Sequence, residues 1–255
     1  MNLYRHSQTI INAIIALICI LMVSGASRAA EPGWPHPVDD NQVFTYLLFD
    51  QLEYRAQEGS DSFDWDVQGW IGTDRNKFWI KTEGSAGLST GAGGDGEVQA
   101  LYSHMIAPFW DFQAGVRYDR MYGPGADHGR AFVVVGLQGL APYRFEVEPA
   151  LFISEDGDVS ARLTASYDLL VTQRLVLQPR FKTNLTIQRV RKFGIGRGVG
   201  DVELELRLRY EIKRQFAPYV GVSWVRKLGG TADLAYLAGR HVSNLAFVSG
   251  VRLWF

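Results

Sequence analysis

The sequence predicts an all-β chain: a transmembrane antiparallel β-barrel of about twelve strands in a Gram-negative outer membrane, with both termini periplasmic. Three observations carry that expectation. Segments of roughly ten residues recur with one apolar and one polar parity, as in a barrel with lipid outside and water inside. The links between them alternate between short turns and longer glycine-rich stretches, the usual asymmetry of outer-membrane barrels. Beyond an N-terminal leader, no apolar run approaches the roughly 20 residues of a spanning helix, so any crossing is made by strands.

The leader comes first. Arg5 and His6 precede an almost unbroken apolar run from Ile10 to Met22, and Ser27-Arg28-Ala29 offers small residues at the cleavage positions. This is the layout of a secretory signal, and its apolar run of about 13 residues is too short to span a bilayer. The expected organisation is a cleaved signal peptide over 1–29, a short periplasmic segment over 30–42 and a barrel over 43–255. The single cysteine, Cys19, leaves with the leader, which removes disulfides, thiolate metal sites and cysteine nucleophiles together. Arg5 and Arg28 also leave, so 26 basic residues become 24 against 27 acidic ones, a net charge near −3. Such a chain has no basic field to draw nucleic acid.

The strands are expected at 43–55, 63–73, 77–83, 97–106, 109–120, 131–140, 143–154, 159–170, 175–187, 201–212, 217–227 and 244–255. The first three place Glu53 and Arg55, then Asp64 and Asp66, then Lys81 and Glu83 on a polar parity. In the fourth, the parity is ambiguous. The fifth contributes Asp111, Arg117 and Asp119 to the polar side, the seventh Arg144, Glu146 and Glu148, the eighth Arg162 and Asp168, and the ninth Arg180 and Lys182. The tenth is the clearest: Val202, Leu204, Leu206, Leu208 and Tyr210 share one face, and Glu203, Glu205, Arg207, Arg209 and Glu211 the other. On a helix this period of two would scatter charge around the whole circumference. The last strand sets Val251, Leu253 and a terminal Phe255 against Arg252, an ending common among outer-membrane proteins. Short turns are expected at 73–76, 107–108, 141–142, 172–174 and 213–216, and longer links at 56–62, 84–96, 121–130, 188–200 and 229–243, with 155–158 a brief exception.

Long strings in this chain resemble the copper-resistance protein B family, outer-membrane barrels of bacterial copper-defence systems. They are FDQLEYR (49–55), QGWIGTDRNKFWIKTEG (68–84), ALYSHMIAPFWDFQAGVRYD (100–119), GLQGLAPYRFEVEPALF (136–152), LRLRYEIKRQFAPYVGV (206–222) and GVRLWF (250–255). The resemblance covers nearly all of the chain beyond Gln42. It implies copper tolerance, through copper binding or copper passage, with copper ions and outer-membrane lipid as partners and a periplasmic copper protein at the short turns. Many members carry a methionine- and histidine-rich tract ahead of the barrel; here residues 31–42 hold His36 and no methionine.

Within the barrel the donors suited to copper are imidazole and thioether. The candidate metal ligands are therefore His104, Met105, Met121 and His128, with His241 alone in the last long link. His104 and Met105 are adjacent, so on a strand only one of them faces the lumen. Met121 and His128 flank the third long link with Asp119 and Asp127. Among the many luminal charges, the acidic pairs Glu146 with Glu148 and Glu203 with Glu205 could draw a cation, while interspersed arginines and lysines would crosslink the lumen. The alternatives are a small polar-solute porin or structural barrel, and then an outer-membrane hydrolase. Catalysis is not expected: Ser103 and His104 are adjacent on a strand, point to opposite faces and cannot form a working dyad by themselves.

Overall fold

A computed structural model describes residues 42–89, 92–123 and 127–255. The expected leader, and the segment after it up to Asn41, lie outside the described residues.

Twelve antiparallel strands follow one another around a closed barrel. They are β1 (Phe44–Gln57), β2 (Ser62–Gly72), β3 (Asn76–Gly87), β4 (Gly94–Ala107), β5 (Trp110–Tyr122), β6 (His128–Ala141), β7 (Phe145–Ser154), β8 (Val159–Ser166, resumed at Leu169–Leu170), β9 (Leu175–Thr186), β10 (Gly198–Tyr210), β11 (Phe216–Lys227) and β12 (Ser243–Trp254). Both pieces of β8 pair with β9, so the break at Tyr167 and Asp168 interrupts one strand and does not add another. Pairing of β1 with β12 closes the ring.

Burial runs opposite to that of a soluble sheet. On β10, Leu204, Leu206 and Leu208 are 46%, 41% and 39% exposed, while Glu205, Arg207 and Arg209 are only 6%, 2% and 3% exposed. Water would penalise such an apolar exterior, and a soluble barrel would reverse it. Hydrocarbon stabilises it, and the charged parity then meets its partners inside.

Trp79, Leu101, Phe132, Val134 and Phe152 form an apolar cluster, with Trp70 and Ala150 packed against it. The rest of the lumen is ionic.

Several expected boundaries shift for identifiable reasons. The link expected at 84–96 is mostly strand: Gly84 pairs with Gly96 in the ladder between β3 and β4. The indole of Trp65 lies over both glycines, and a Cβ on Gly84 would overlap it. Those glycines make room on the outer face and do not mark a turn. Arg144, expected in the lumen, is exposed in the turn Pro142–Arg144, because Tyr143 and Arg144 adopt φ of 68° and 66° and break the parity before β7 starts. The link expected as a glycine-rich loop at 229–243 opens with a helix, α1 (Gly229–Leu237).

Candidate functional site

A β-bulge sets the luminal chemistry of β1. Register slips between Phe49 and Gln51 against β2, and between Phe49 and Leu52 against β12. Asp50 lies at that irregularity, and its carboxylate pairs with Arg252 at 2.8 Å. Below it, Arg207 is clasped by two carboxylates. Glu53 accepts from Nε and Nη2 at 2.9 and 3.0 Å, and Glu205 accepts from Nη1 and Nη2 at 2.6 and 2.9 Å. Arg55 reaches Glu53, Asp64, Glu203 and Glu205 at 2.8 to 3.1 Å. With this many donors fixed, both members of the acidic pair Glu203 and Glu205 have countercharges.

Other ion pairs cross the lumen between strands that are not neighbours. Arg162 of β8 holds Glu97 of β4 with two bonds of 2.8 and 2.9 Å. Arg180 of β9 reaches Asp66 of β2 at 2.8 Å, Lys182 of β9 pairs with Glu83 of β3, and Lys81 of β3 pairs with Glu148 of β7 at 3.0 Å. Glu146 lines the same region without an ion pair among the described residues. This crossed layer separates two cavities, one of about 750 Å³ toward the long links and one of about 90 Å³ toward the short turns. Glu83, Glu97, Phe152 and Arg162 line both.

The larger cavity is a vestibule roofed by two links. Gly196 sits so close to α1 that a Cβ on it would overlap the Gly230 carbonyl carbon and the Thr231 nitrogen. The Gly196 N–H donates to Thr231 Oγ1 at 2.9 Å. Phe193, from the same link, meets the His128 ring edge-on at a centroid distance of 5.9 Å.

The four expected metal residues fall into two pairs at opposite ends. His104 faces outward near the short turns, where Nδ1 and the Asn76 side-chain oxygen lie 2.8 Å apart. Met105 has the opposite, luminal parity. At the other end, Met121 of β5 and His128 of β6 are direct cross-strand partners lining the vestibule. About nine residues of strand, roughly 30 Å, separate the pairs. Asp127 is engaged by Arg120, which donates to both its oxygens at 3.0 and 2.5 Å and holds its carboxyl below the usual carboxylate range, with a smaller contribution from His128.

One residue escaped sequence reading. Asp95 of β4 is the register partner of Met121, and it lines the same vestibule. Asp95, Met121 and His128 therefore form a row of carboxylate, thioether and imidazole across three adjacent strands. By sequence pattern Asp95 falls in the glycine-rich link expected at 84–96. Its luminal parity becomes visible only once Glu97, Gln99, Leu101 and Ser103 are seen to face inward. Ser103 itself donates to Asp111 at 3.0 Å, on the face opposite His104.

The family model described as "Copper resistance protein B precursor (CopB)" matches residues 43–255. The chain belongs to this copper resistance protein B family. Among its relatives, "Copper resistance protein B" of Escherichia coli is 42% identical over 235 residues, which span 91% of this chain and 77% of that one. A "Copper resistance protein B homolog" of Pseudomonas syringae pv. tomato is 40% identical over 220 residues, 86% of this chain and 73% of the other. Among solved structures, the NanC porin aligns with a TM-score of 0.50 at 14% identity, over 82% of this chain and 99% of that one, a likeness of fold. This member of the copper resistance protein B family is thus an outer-membrane barrel, its apolar exterior matched to lipid and its charges gathered inside.

Proposed function

We propose that this barrel binds copper at the mouth of its vestibule and acts in copper resistance without catalysing a reaction. The observation that carries the reading is the row Asp95, Met121 and His128 lining a cavity above a crossed lumen. Thioether and imidazole are ligands for reduced and oxidised copper. Among the described residues, no cluster of three or more His, Cys, Asp and Glu could hold a metal, so the thioether is the distinguishing donor. The orientation that fits puts the short turns, both termini and any docking of a periplasmic copper protein on the periplasmic side, with 1–29 as the cleaved leader.

The crossing ion pairs favour binding over free passage. Copper leaving the vestibule toward the short turns meets Glu83, Glu97 and Arg162, and each of these groups is already engaged. Glu146 and Glu148 line the second, smaller cavity beyond that layer. A general polar-solute pore would want this layer open.

Thermal melting of the detergent-folded protein tests the reading. A ligand that binds only the folded state at 100 times its Kd stabilises by about 2.7 kcal/mol. Copper is expected to raise the midpoint and zinc to do so far less. The rise disappears in a D95N/M121A/H128A variant and survives in H104A/M105A. A rise that survives the first variant and vanishes in the second moves the site to the opposite end. No rise with either copper ion refutes binding by the barrel.

A further inference from the structure

Three neighbouring strands end at the vestibule rim in the same way, with a cation just beyond an outward apolar residue. Leu185 is exposed on the lipid side of β9, and just beyond the end of that strand Ile187 and Arg189 are both exposed. Val199 is exposed on the outer face at the start of β10, and Arg197, just before that strand, is exposed as well. On β11 the outward Trp224 donates to Ser243 Oγ at 3.0 Å, and Arg226 follows on the same side. The link from β9 to β10 adds exposed Arg191 and Lys192. None of these five cations forms an ion pair among the described residues, although nearly every cation inside the barrel does. Asp201 of β10 accepts from Asn184 at 2.9 Å.

Arginines without ion pairs at the edge of a lipid-facing apolar stripe lie where lipid headgroups lie, and Lys192, over the Phe193 ring at 5.7 Å, stands at the luminal side of the same rim. Arginine forks match phosphate oxygens bidentately. We propose that this rim, Arg189, Arg191, Lys192, Arg197 and Arg226, binds the phosphates of the phosphorylated glycolipid in the outer leaflet. The proposal rests on the outward orientation of the long links and not on copper. It also removes a difficulty: uncompensated positive charge beside a mouth that takes a metal cation repels it, and bound phosphate neutralises that field.

The test compares the full protein with an R189Q/R191Q/K192Q/R197Q variant, and with a control, R75Q/R144Q/R174Q/R214Q, that removes four cations from the short turns. Each is folded in detergent and titrated with bisphosphorylated lipid A, dephosphorylated lipid A and inorganic phosphate, with the melting midpoint as readout. Each Lys or Arg near an anionic surface contributes about fivefold, so the rim variant loses more than about 100-fold in apparent affinity for bisphosphorylated lipid A at low salt. The control retains its response, and the dephosphorylated lipid gives none. Equal responses to inorganic phosphate and lipid A at matched phosphate would make this a free-anion site and overturn the lipid assignment. So would an unchanged response in the rim variant. Cysteine labelling of the long links on intact cells tests the orientation separately, so its failure is distinguishable from absence of lipid binding.

Discussion

Arg207 shows how residue-level chemistry holds this barrel together. Its guanidinium is buried between Glu53 and Glu205, and Tyr219 donates a further bond to Glu53 at 3.0 Å. Removing one partner from such a cluster leaves buried charge uncompensated, which costs about 3–5 kcal/mol, whereas replacing the whole cluster by apolar groups of similar volume costs far less. R207M is expected to lower unfolding stability by about that amount, and an E53M/E205L/R207M triple variant to recover most of it. Urea unfolding of the vesicle-folded barrel measures both. A neutral R207M would show that these ion pairs contribute nothing. Arg207 and Glu53 were legible as luminal from parity alone. Asp50 was not, because the register slip beside it breaks the two-residue period on which the reading depends.

At the scale of elements, the vestibule depends on two links that the sequence presents as glycine-rich loops. The helix α1 inside the second carries the apolar residues of Ala232 to Leu237 and packs against β10 and β11. Its glycine start hid it, since Gly229 and Gly230 read as a breaker. They serve a different end, because Gly230 lets Gly196 approach backbone to backbone. G196V is expected to push the first link away from α1, release Phe193 from His128 and weaken copper binding several-fold while leaving the twelve strands intact. Limited proteolysis within residues 187–197, beside copper titration, checks this. Cleavage and affinity both equal to those of the unaltered protein would show that the roof has no part in the site. Gly84 and Gly96 make the same point on β3 and β4: a glycine opposite a tryptophan ring and a glycine in a turn look alike in sequence.

For the whole molecule, twelve strands and their order were legible because lipid and lumen impose opposite chemistry on alternate residues, a signal repeated along every strand. The crossing of the lumen was only partly legible. Sequence shows that both signs of charge face inward, but which arginine reaches which acid depends on barrel closure, as with Arg162 of β8 and Glu97 of β4, 65 residues apart. The consecutive β4–β5 and β5–β6 hairpins, and not closure, set His104 and Met105 at the end opposite Met121 and His128 and bring Asp95 beside Met121. On this proposal copper is held at one end of a crossed barrel, with Met121 as its sulfur donor. X-ray absorption at the copper edge of the loaded protein and of its M121A and M105A variants tests it most directly. A sulfur neighbour to copper is expected in the unaltered protein and in M105A, and its disappearance in M121A. Sulfur retained in M121A, or lost only in M105A, would contradict it.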